Sequence, residues 1–362
     1  MNKIIDFKKS KEELINKRFS SSKKINANFL ADSKEYLEFN NFYLKCKNDL
    51  YKSNELKDKD LIKLFDLFGK YFDSIYKKWV LFENKKTSKL KEAMDYAMLS
   101  SGKRLRPFLM YLTYDFCKGE NDLLIEPFML ALEMIHNFSL IHDDLPCIDN
   151  DELRRGKETV WKKFGEDVAV LTGDALFMKA TSILMNVINC FSTDLVHPYF
   201  SAASDIILDF SGIDGMLQGE FIDVMSSNKK MNLKDILFMY ELKTTALFKA
   251  AILSGAMLSI KGTAILELLE EFANLFGRAF QMQDDILEIE GEEKVIGKSK
   301  NSDIKNGKVT VASLVGLEEA KDAVNELFEE CLIIIDKIAT KDNVKEALLY
   351  KRIITLLSKR KK

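Results

Sequence analysis

Apolar positions along the chain recur at intervals of three and four. In DLIKLFDLFGKYFDSIYKKWV the set Leu61, Phe65, Phe68, Phe72, Ile75 and Trp79 keeps that spacing, which is the period of one face of an α-helix. The same period predicts helix in AMDYAMLSSGKRLRPFLMYLTYDF, DVAVLTGDALFMKATSILMNVI, LKTTALFKAAILSGAML and ILELLEEFANLFGRAFQMQDDILEI. Several of these segments are apolar nearly all round, so each needs other helices on every side. Punctuation is sparse, with prolines only at 107, 127, 146 and 198 and few glycines, too little for the turns of an all-β chain. The pattern predicts an all-α fold built as one large helical bundle.

Residues 1–58 read differently. They are rich in Lys, Asn, Asp, Ser and Glu, with apolar anchors only in NANFLADSKEYLEFNNFYL, which predicts a separate, partly disordered or weakly helical extension ahead of a domain at 59–362. No internal repeat is evident. At 47% hydrophobic, 30% charged and a net charge of -2, the chain has no global attraction for nucleic acid or an anionic membrane. Any anion site must therefore be local. Five scattered cysteines without a CxxC pair point to reduced thiols and a cytoplasmic location. No uninterrupted apolar run reaches the roughly 18 residues of a membrane span, so stable insertion is not expected. The basic N-terminus carries Asp6, Glu12 and Glu13 and no apolar core, which disfavours a targeting segment without settling the point.

Against this background LIHDDLPCIDNDELRRG stands out. Asp143, Asp144, Asp149, Asp151 and Glu152 crowd the end of the apolar segment FMLALEMIHNFSLI, and Arg154 and Arg155 follow at once. Like charges a turn apart destabilise a helix, so something must offset them. A second cluster, FQMQDDILEIEG, puts Asp284 and Glu288 on one helix face with Asp285 beside them. One such cluster alone reads as a solvated helix end. Two, each emerging from a hydrophobic helix, point to hard divalent cations held across a bundle core, and Mg²⁺ suits few carboxylates completed by phosphate oxygens.

Cations accompany the acids. SGKRLRP supplies Lys103, Arg104 and Arg106, LRRG supplies Arg154 and Arg155, and GKSKNSDIKNGKVT supplies Lys298, Lys300, Lys305 and Lys308. Arginine forks match phosphate geometry, and lysines add point charge. His136 lies seven residues before Asp143 on about the same helical face, where a diphosphate contact and a satisfied core histidine are equally good readings. For His142 the core reading is preferred.

The motifs GKRLRP, LIHDDLPCIDNDELRRG, LTGDALF, GMLQGEFID, KTTALF, FQMQDDILE and GKSKNSDIKNGK occur in the order and at the spacing of the trans-isoprenyl diphosphate synthases. Over about residues 60 to 362 the chain resembles that family, and is most similar to its bacterial-type short-chain members. The resemblance implies an active-site cavity in the bundle core and a reaction in which isopentenyl diphosphate is condensed with dimethylallyl or geranyl diphosphate to give farnesyl diphosphate. About three Mg²⁺, for which Mn²⁺ is expected to substitute, would bridge Asp143, Asp144 and Asp149 to Asp284, Asp285 and Glu288. Arg154, Lys243, Lys298 and Lys308 would hold the allylic diphosphate, and Lys103, Arg106, His136 and Arg155 the isopentenyl diphosphate. Thr244 and Gln281 would turn oxygens toward the allylic cation. Family members are commonly homodimers, and DVAVLTGDALFMKATSILMNVI would suit the contact.

Chain length follows from depth. Phe138, with Ser139 beside it, lies five residues before Asp143, or ~7–8 Å deeper along a helix, and a ring there resembles a floor that stops elongation at fifteen carbons. Without that floor the product would be geranylgeranyl diphosphate. A terpene cyclase would lack the second cation set, and a non-catalytic regulatory subunit would tend to lose aspartates from one motif. Several positions depart from the family pattern: Ser101, Glu220 where glutamine is common, Glu288 as the third acid of its motif, Asn301, Ser302 and Val309. The terminal SKRKK either folds over the diphosphate site or stays solvated, the second being the default.

Overall fold

The computed structural model describes residues 33–80, 88–100, 102–120, 122–191, 197–226, 229–259, 261–290 and 309–360. Helices α1 (Lys34–Ser53), α2 (Asp58–Trp79), α3 (Lys89–Met98), α4 (Leu105–Phe116) and α5 (Glu126–Asp143) precede a hairpin of β1 (Leu153–Arg154) and β2 (Lys157–Glu158). Then come α6 (Val160–Phe164), α7 (Glu166–Phe191), α8 (His197–Ser211), α9 (Met216–Ser226) and α10 (Leu233–Tyr240). A π-helical turn (Glu241–Thr245) leads into α11 (Ala246–Leu258), followed by α12 (Leu266–Glu290), α13 (Val311–Val315), α14 (Leu317–Ile338) and α15 (Val344–Ser358). The all-α single-domain bundle expected from the period is what forms.

Helix α11 is buried on nearly every side and packs against α4, α5, α8 and α12. Around it α5 lies on α7 and α12 on α14. The segment 93–116, read from its period as helical throughout, breaks between Met98 and Leu105, because Arg104 adopts a left-handed conformation (φ 48°) that no helix continues through. Its guanidinium turns inward to Glu133 at 3.1 Å, to the Ser100 carbonyl at 3.1 Å and to the Met98 carbonyl. Arg104, counted among the phosphate-facing cations from sequence, is therefore a structural residue.

Much of the polar N-terminal segment is not separate from the bundle. Ser33 caps α1 by accepting from the Tyr36 amide at 3.0 Å, and Phe39, Tyr43, Cys46 and Leu50, at intervals of four, three and four, are buried in the common core. The aromatic face was present in the sequence, but the average composition around it masked the period. Inside the contact, Lys47 is almost fully buried and bridges Asp115 at 2.8 Å and Glu346 at 2.7 Å, while the Tyr43 hydroxyl donates to Asp115 at 2.7 Å. One ammonium thereby joins α1, α4 and α15. A boundary at residue 58 does not divide two packing units; residues 1–32 lie outside the described residues.

Helix α7 is long and apolar enough to cross a membrane by composition, with mean hydropathy 1.5 in an 18-residue stretch of Glu166–Asn189. A search for uninterrupted apolar runs passes over it because Asp174 and Lys179 fall inside. One side of α7 lies against α5, and Leu171, Met178 and Met185 face outward.

Lys47→Met would leave Asp115 with no cation and Glu346 with Lys118 alone, which stands 3.0 Å away. Loss of a buried partner costs about 3 kcal/mol, and urea unfolding of the full chain should show that loss.

Candidate active site

Helix α5 ends at Asp143, and Pro146 shortly beyond prevents its continuation. The chain then doubles back: the Asp149 amide donates to the Asp143 carbonyl at 2.9 Å and the Asn150 amide to the Leu145 carbonyl at 3.0 Å. The acids thus lie on a helix end and a returning turn, which brings Asp149 beside Asp143. Asp143 is 8% exposed. Burial raises its pKa, Lys243 and Arg154 oppose that rise, and Asp149 and Asp144 add to it.

The hairpin aims the two arginines in different directions. Arg155 and Gly156 sit at its tip with φ of 53° and 75°, the two left-handed residues of a type I′ turn. Arg154 donates to both oxygens of Asp144, with Nε at 2.8 and 3.0 Å and Nη2 at 2.6 Å. Asp144, named from sequence as a metal ligand, thus has its carboxylate clamped by an arginine fork. The Arg155 guanidinium lies over Gly102, where a Cβ would overlap it. The first glycine of GKRLRP therefore makes room for the last arginine of LRRG.

Three of the residues expected at the second substrate site come together. Arg106 Nη1 stands 3.2 Å from His136 Nε2, and since arginine only donates, that nitrogen is the acceptor of a neutral imidazole. Burial first, then Arg106 and Arg155, hold the His136 pKa well below its usual value. Burial also pulls the Arg106 pKa down to about 10, and its Nε is buried without a partner. A guanidinium with an unpaired, buried Nε donor is able to take an anion. Lys103 is exposed nearby. Lys298 and Lys308 lie outside the described residues.

The π-helical turn carries Lys243 and Thr244, and it is gripped from both sides at backbone distance. A Cβ on Gly219 of α9 would overlap the Lys243 backbone, and one on Gly277 of α12 would lie 2.6 Å from Thr245 Cγ2. That approach delivers Glu220 and Asp223, one turn apart on α9, to the Lys243 ammonium at 2.7 and 2.6 Å. Burial first, then Asp143, pushes the Glu220 pKa up to about 7. On the other side the Thr244 hydroxyl donates to Gln281 Oε1 at 2.6 Å, and Gln281 Nε2 donates to Asp285 Oδ1 at 3.0 Å. The Tyr240 hydroxyl donates to the other oxygen, Asp285 Oδ2. Asp285, also named as a metal ligand, is 3% exposed and faces these partners.

Asp284 meets a residue that the sequence reading left solvated. Arg360, from the terminal basic run, reaches Asp284 at 2.5 Å and Gln283 Oε1 at 2.6 Å while lying 3.7 Å from the Phe280 ring centre. Glu288, one turn after Asp284 on α12, is half-buried. Among the described residues no three His, Cys, Asp or Glu side chains converge on one point, so a cation here would draw on ligands beyond the carboxylates. Deeper in, Phe138 is 8% exposed and packs against the rings of His142 at 5.1 Å and Phe177 at 5.5 Å. Ser139 donates to the His136 carbonyl at 3.0 Å, within its own helix. His142 Nε2 stands 3.2 Å from the Val170 carbonyl, which satisfies it as a packing residue.

Residues 87–350 match the polyprenyl synthetase family. The chain belongs to that family. It is 38% identical over 265 residues to a farnesyl diphosphate synthase of Micrococcus luteus, an alignment covering 73% of this chain and 88% of that protein. It is 39% identical over 246 residues to a heterodimeric geranylgeranyl pyrophosphate synthase large subunit of Arabidopsis thaliana, covering 67% and 65%. A Helicobacter pylori geranyltransferase, solved with magnesium and isoprenyl diphosphate, superposes with a TM-score of 0.72 at 29% identity over 83% of this chain and 99% of that one. The polyprenyl synthetase described here is thus a prenyltransferase. Beyond the expected positions, Glu220, Asp223, Tyr240 and Arg360 pair with Lys243, Asp285 and Asp284. The first two stand in GMLQGEFID and Arg360 in the terminal SKRKK, whereas nothing local in the sequence marks Tyr240.

Two measurements follow. Gly219→Ala should force α9 off the π-helical turn and lower prenyl transfer about 10²-fold with helical content by circular dichroism retained. Between the ordinary histidine pKa and the lower folded value, the unfolded chain binds a proton at residue 136 that the folded chain refuses. Stability should therefore fall as pH drops below about 6.5, and His136→Asn should flatten that part of a urea-unfolding profile between pH 7 and 5.

Proposed function

We propose that this synthase condenses isopentenyl diphosphate with dimethylallyl and then geranyl diphosphate to form (2E,6E)-farnesyl diphosphate, with Mg²⁺ as its metal. The observation that carries the fifteen-carbon product is the Phe138 ring, five residues before Asp143 on α5 and packed against Phe177 and His142. The donor set suits the ion: oxygen ligands only, on Asp143, Asp149, Asp284 and Glu288, with Asp143 held protonation-prone by burial until a cation joins it. When bound, the metal makes diphosphate a better leaving group.

The chain's own residues do the rest. Lys243 and Arg154 stand beside the first acidic motif to receive the allylic diphosphate, and Lys103, Arg106, His136 and Arg155 hold the isopentenyl diphosphate. Thr244 donates its hydroxyl hydrogen bond to Gln281, which leaves hydroxyl lone pairs for the carbon that loses diphosphate. The isopentenyl double bond attacks that carbon, a new C–C bond forms, and the departing diphosphate takes the proton lost from the adduct. No histidine or cysteine base is required.

The homodimer belongs to the same reading. Leu171, Met178 and Met185 on α7 and Phe221 on α9 are 59%, 65%, 53% and 59% exposed, an apolar surface that a second copy would cover. A cytoplasmic location accords with free thiols at Cys46, Cys117, Cys147 and Cys331. A second reading, a twenty-carbon product, is favoured by the similarity to the Arabidopsis geranylgeranyl pyrophosphate synthase subunit.

The purified chain with Mg²⁺, labelled isopentenyl diphosphate and dimethylallyl or geranyl diphosphate should yield a C15 alcohol after dephosphorylation, and nothing when the divalent cation is chelated. Phe138→Ala should extend the product to C20 or longer. A wild-type product of C20 would replace the farnesyl reading with the second one. Failure to extend any primer would overturn catalysis by this chain alone.

A further inference from the structure

A carboxylate buried within a bundle needs every donor it can find, and Asp285 has found donors of unequal consequence. It sits on α12 at 3% exposure, takes the Gln281 amide on Oδ1 at 3.0 Å and takes the Tyr240 hydroxyl on Oδ2. Tyr240 is itself 4% exposed and accepts the Val311 amide at 3.3 Å. Its hydroxyl therefore bridges the end of α10 to the start of α13.

The polarity of this chain matters more than its strength. An ionised carboxylate accepts only, so the Gln281 side chain must turn its NH₂ to Asp285 and its carbonyl oxygen to Thr244. Facing an acceptor, the Thr244 hydroxyl must donate, as it does at 2.6 Å. Its proton is then directed away from the cavity, and its lone pairs are the part left for substrate. That is the sign needed beside a carbon developing positive charge, and a dipole fixed before reaction needs no reorganisation when the charge appears. A flipped Gln281 amide would present NH₂ to Thr244 and free the threonine proton to point into the cavity, which is the wrong sign.

We infer that Tyr240 and Asp285 are positioning residues that set the polarity of the Gln281–Thr244 pair toward the allylic cation. The inference rests on the reading that Thr244 and Gln281 face that cation. It gives Asp285 a different task from Asp284, the adjacent residue, whose carboxylate pairs with Arg360. It also gives Tyr240, which is 4% exposed, a part in the rate.

The test compares wild type, Tyr240→Phe, Thr244→Val and the double variant, with geranyl diphosphate and with its analogue fluorinated at C2, which ionises less readily. Tyr240→Phe is expected to lower kcat by about 10²-fold with KM for both diphosphates within about twofold, since binding groups are untouched. Its deficit should be larger with the fluorinated substrate. The double variant should be little worse than Thr244→Val alone, because both act through one hydrogen-bond chain. Thermal unfolding of each variant reports on folding separately. A Tyr240→Phe enzyme with unchanged kcat, a raised KM with kcat intact, or additive losses in the double variant would overturn the inference while leaving prenyl transfer standing. A wild-type enzyme that extends neither substrate would overturn the functional reading and the inference together.

Discussion

Asp143 closes a helix that is buried nearly all round, and a carboxylate at such a place is tolerable only if cations are brought to it. Most of the local architecture can be traced to that requirement. The β-hairpin exists where Arg154 must reach back to Asp144, and its type I′ tip throws Arg155 the other way, over Gly102. The π-helical turn presents Lys243 from the opposite wall, and glycines on α9 and α12 let that turn be held at backbone distance. Charge that would destabilise an ordinary core becomes here a set of paired acids and bases with capacity left over. The unused Nε of Arg106 and the unpartnered Oε1 of Glu220 mark where that capacity lies.

The charged groups fall into two electrical regions. Around His136 burial first and then the neighbouring arginines keep the imidazole neutral, and burial lowers the Arg106 pKa as well. Around Lys243 the acids dominate, and Asp143, Glu220 and Asp223 hold its pKa well above the usual value against the effect of burial. A diphosphate entering the first region meets donors directly. On the proposed function, one entering the second would meet a lysine already shared between two carboxylates, so its phosphates would reach it through a divalent cation. Glutamate at position 220, in place of the glutamine common in the family, strengthens that asymmetry.

Distant elements serve the same site. The buried Lys47 ties α1 to α15, and residue 360 just beyond α15 lies on Asp284, so the N-terminal helix and the terminal basic run belong to one packed unit with the cavity. Tyr240 makes a comparable link between α10 and α13.

Much of this was legible in the sequence. The helical period gave the bundle, because spacings of three and four are imposed by backbone geometry alone. The acidic motifs and their arginines were legible because such charge density at the end of apolar helices has few other uses. What escaped was whatever depends on where a side chain turns. The helical period ran straight through Arg104, whose left-handed backbone ends one helix and buries a charge. Average composition hid the aromatic face of α1. Asp284 and Asp285 are adjacent and chemically identical in the sequence, yet helix geometry sends them about 100° apart, one toward Arg360 and the other to Tyr240 and Gln281. The sequence by itself determined which charges and rings are available and on which helices. Only tertiary structure decided which of them meet, because burial and hydrogen-bond polarity are properties of neighbours that lie far apart along the chain.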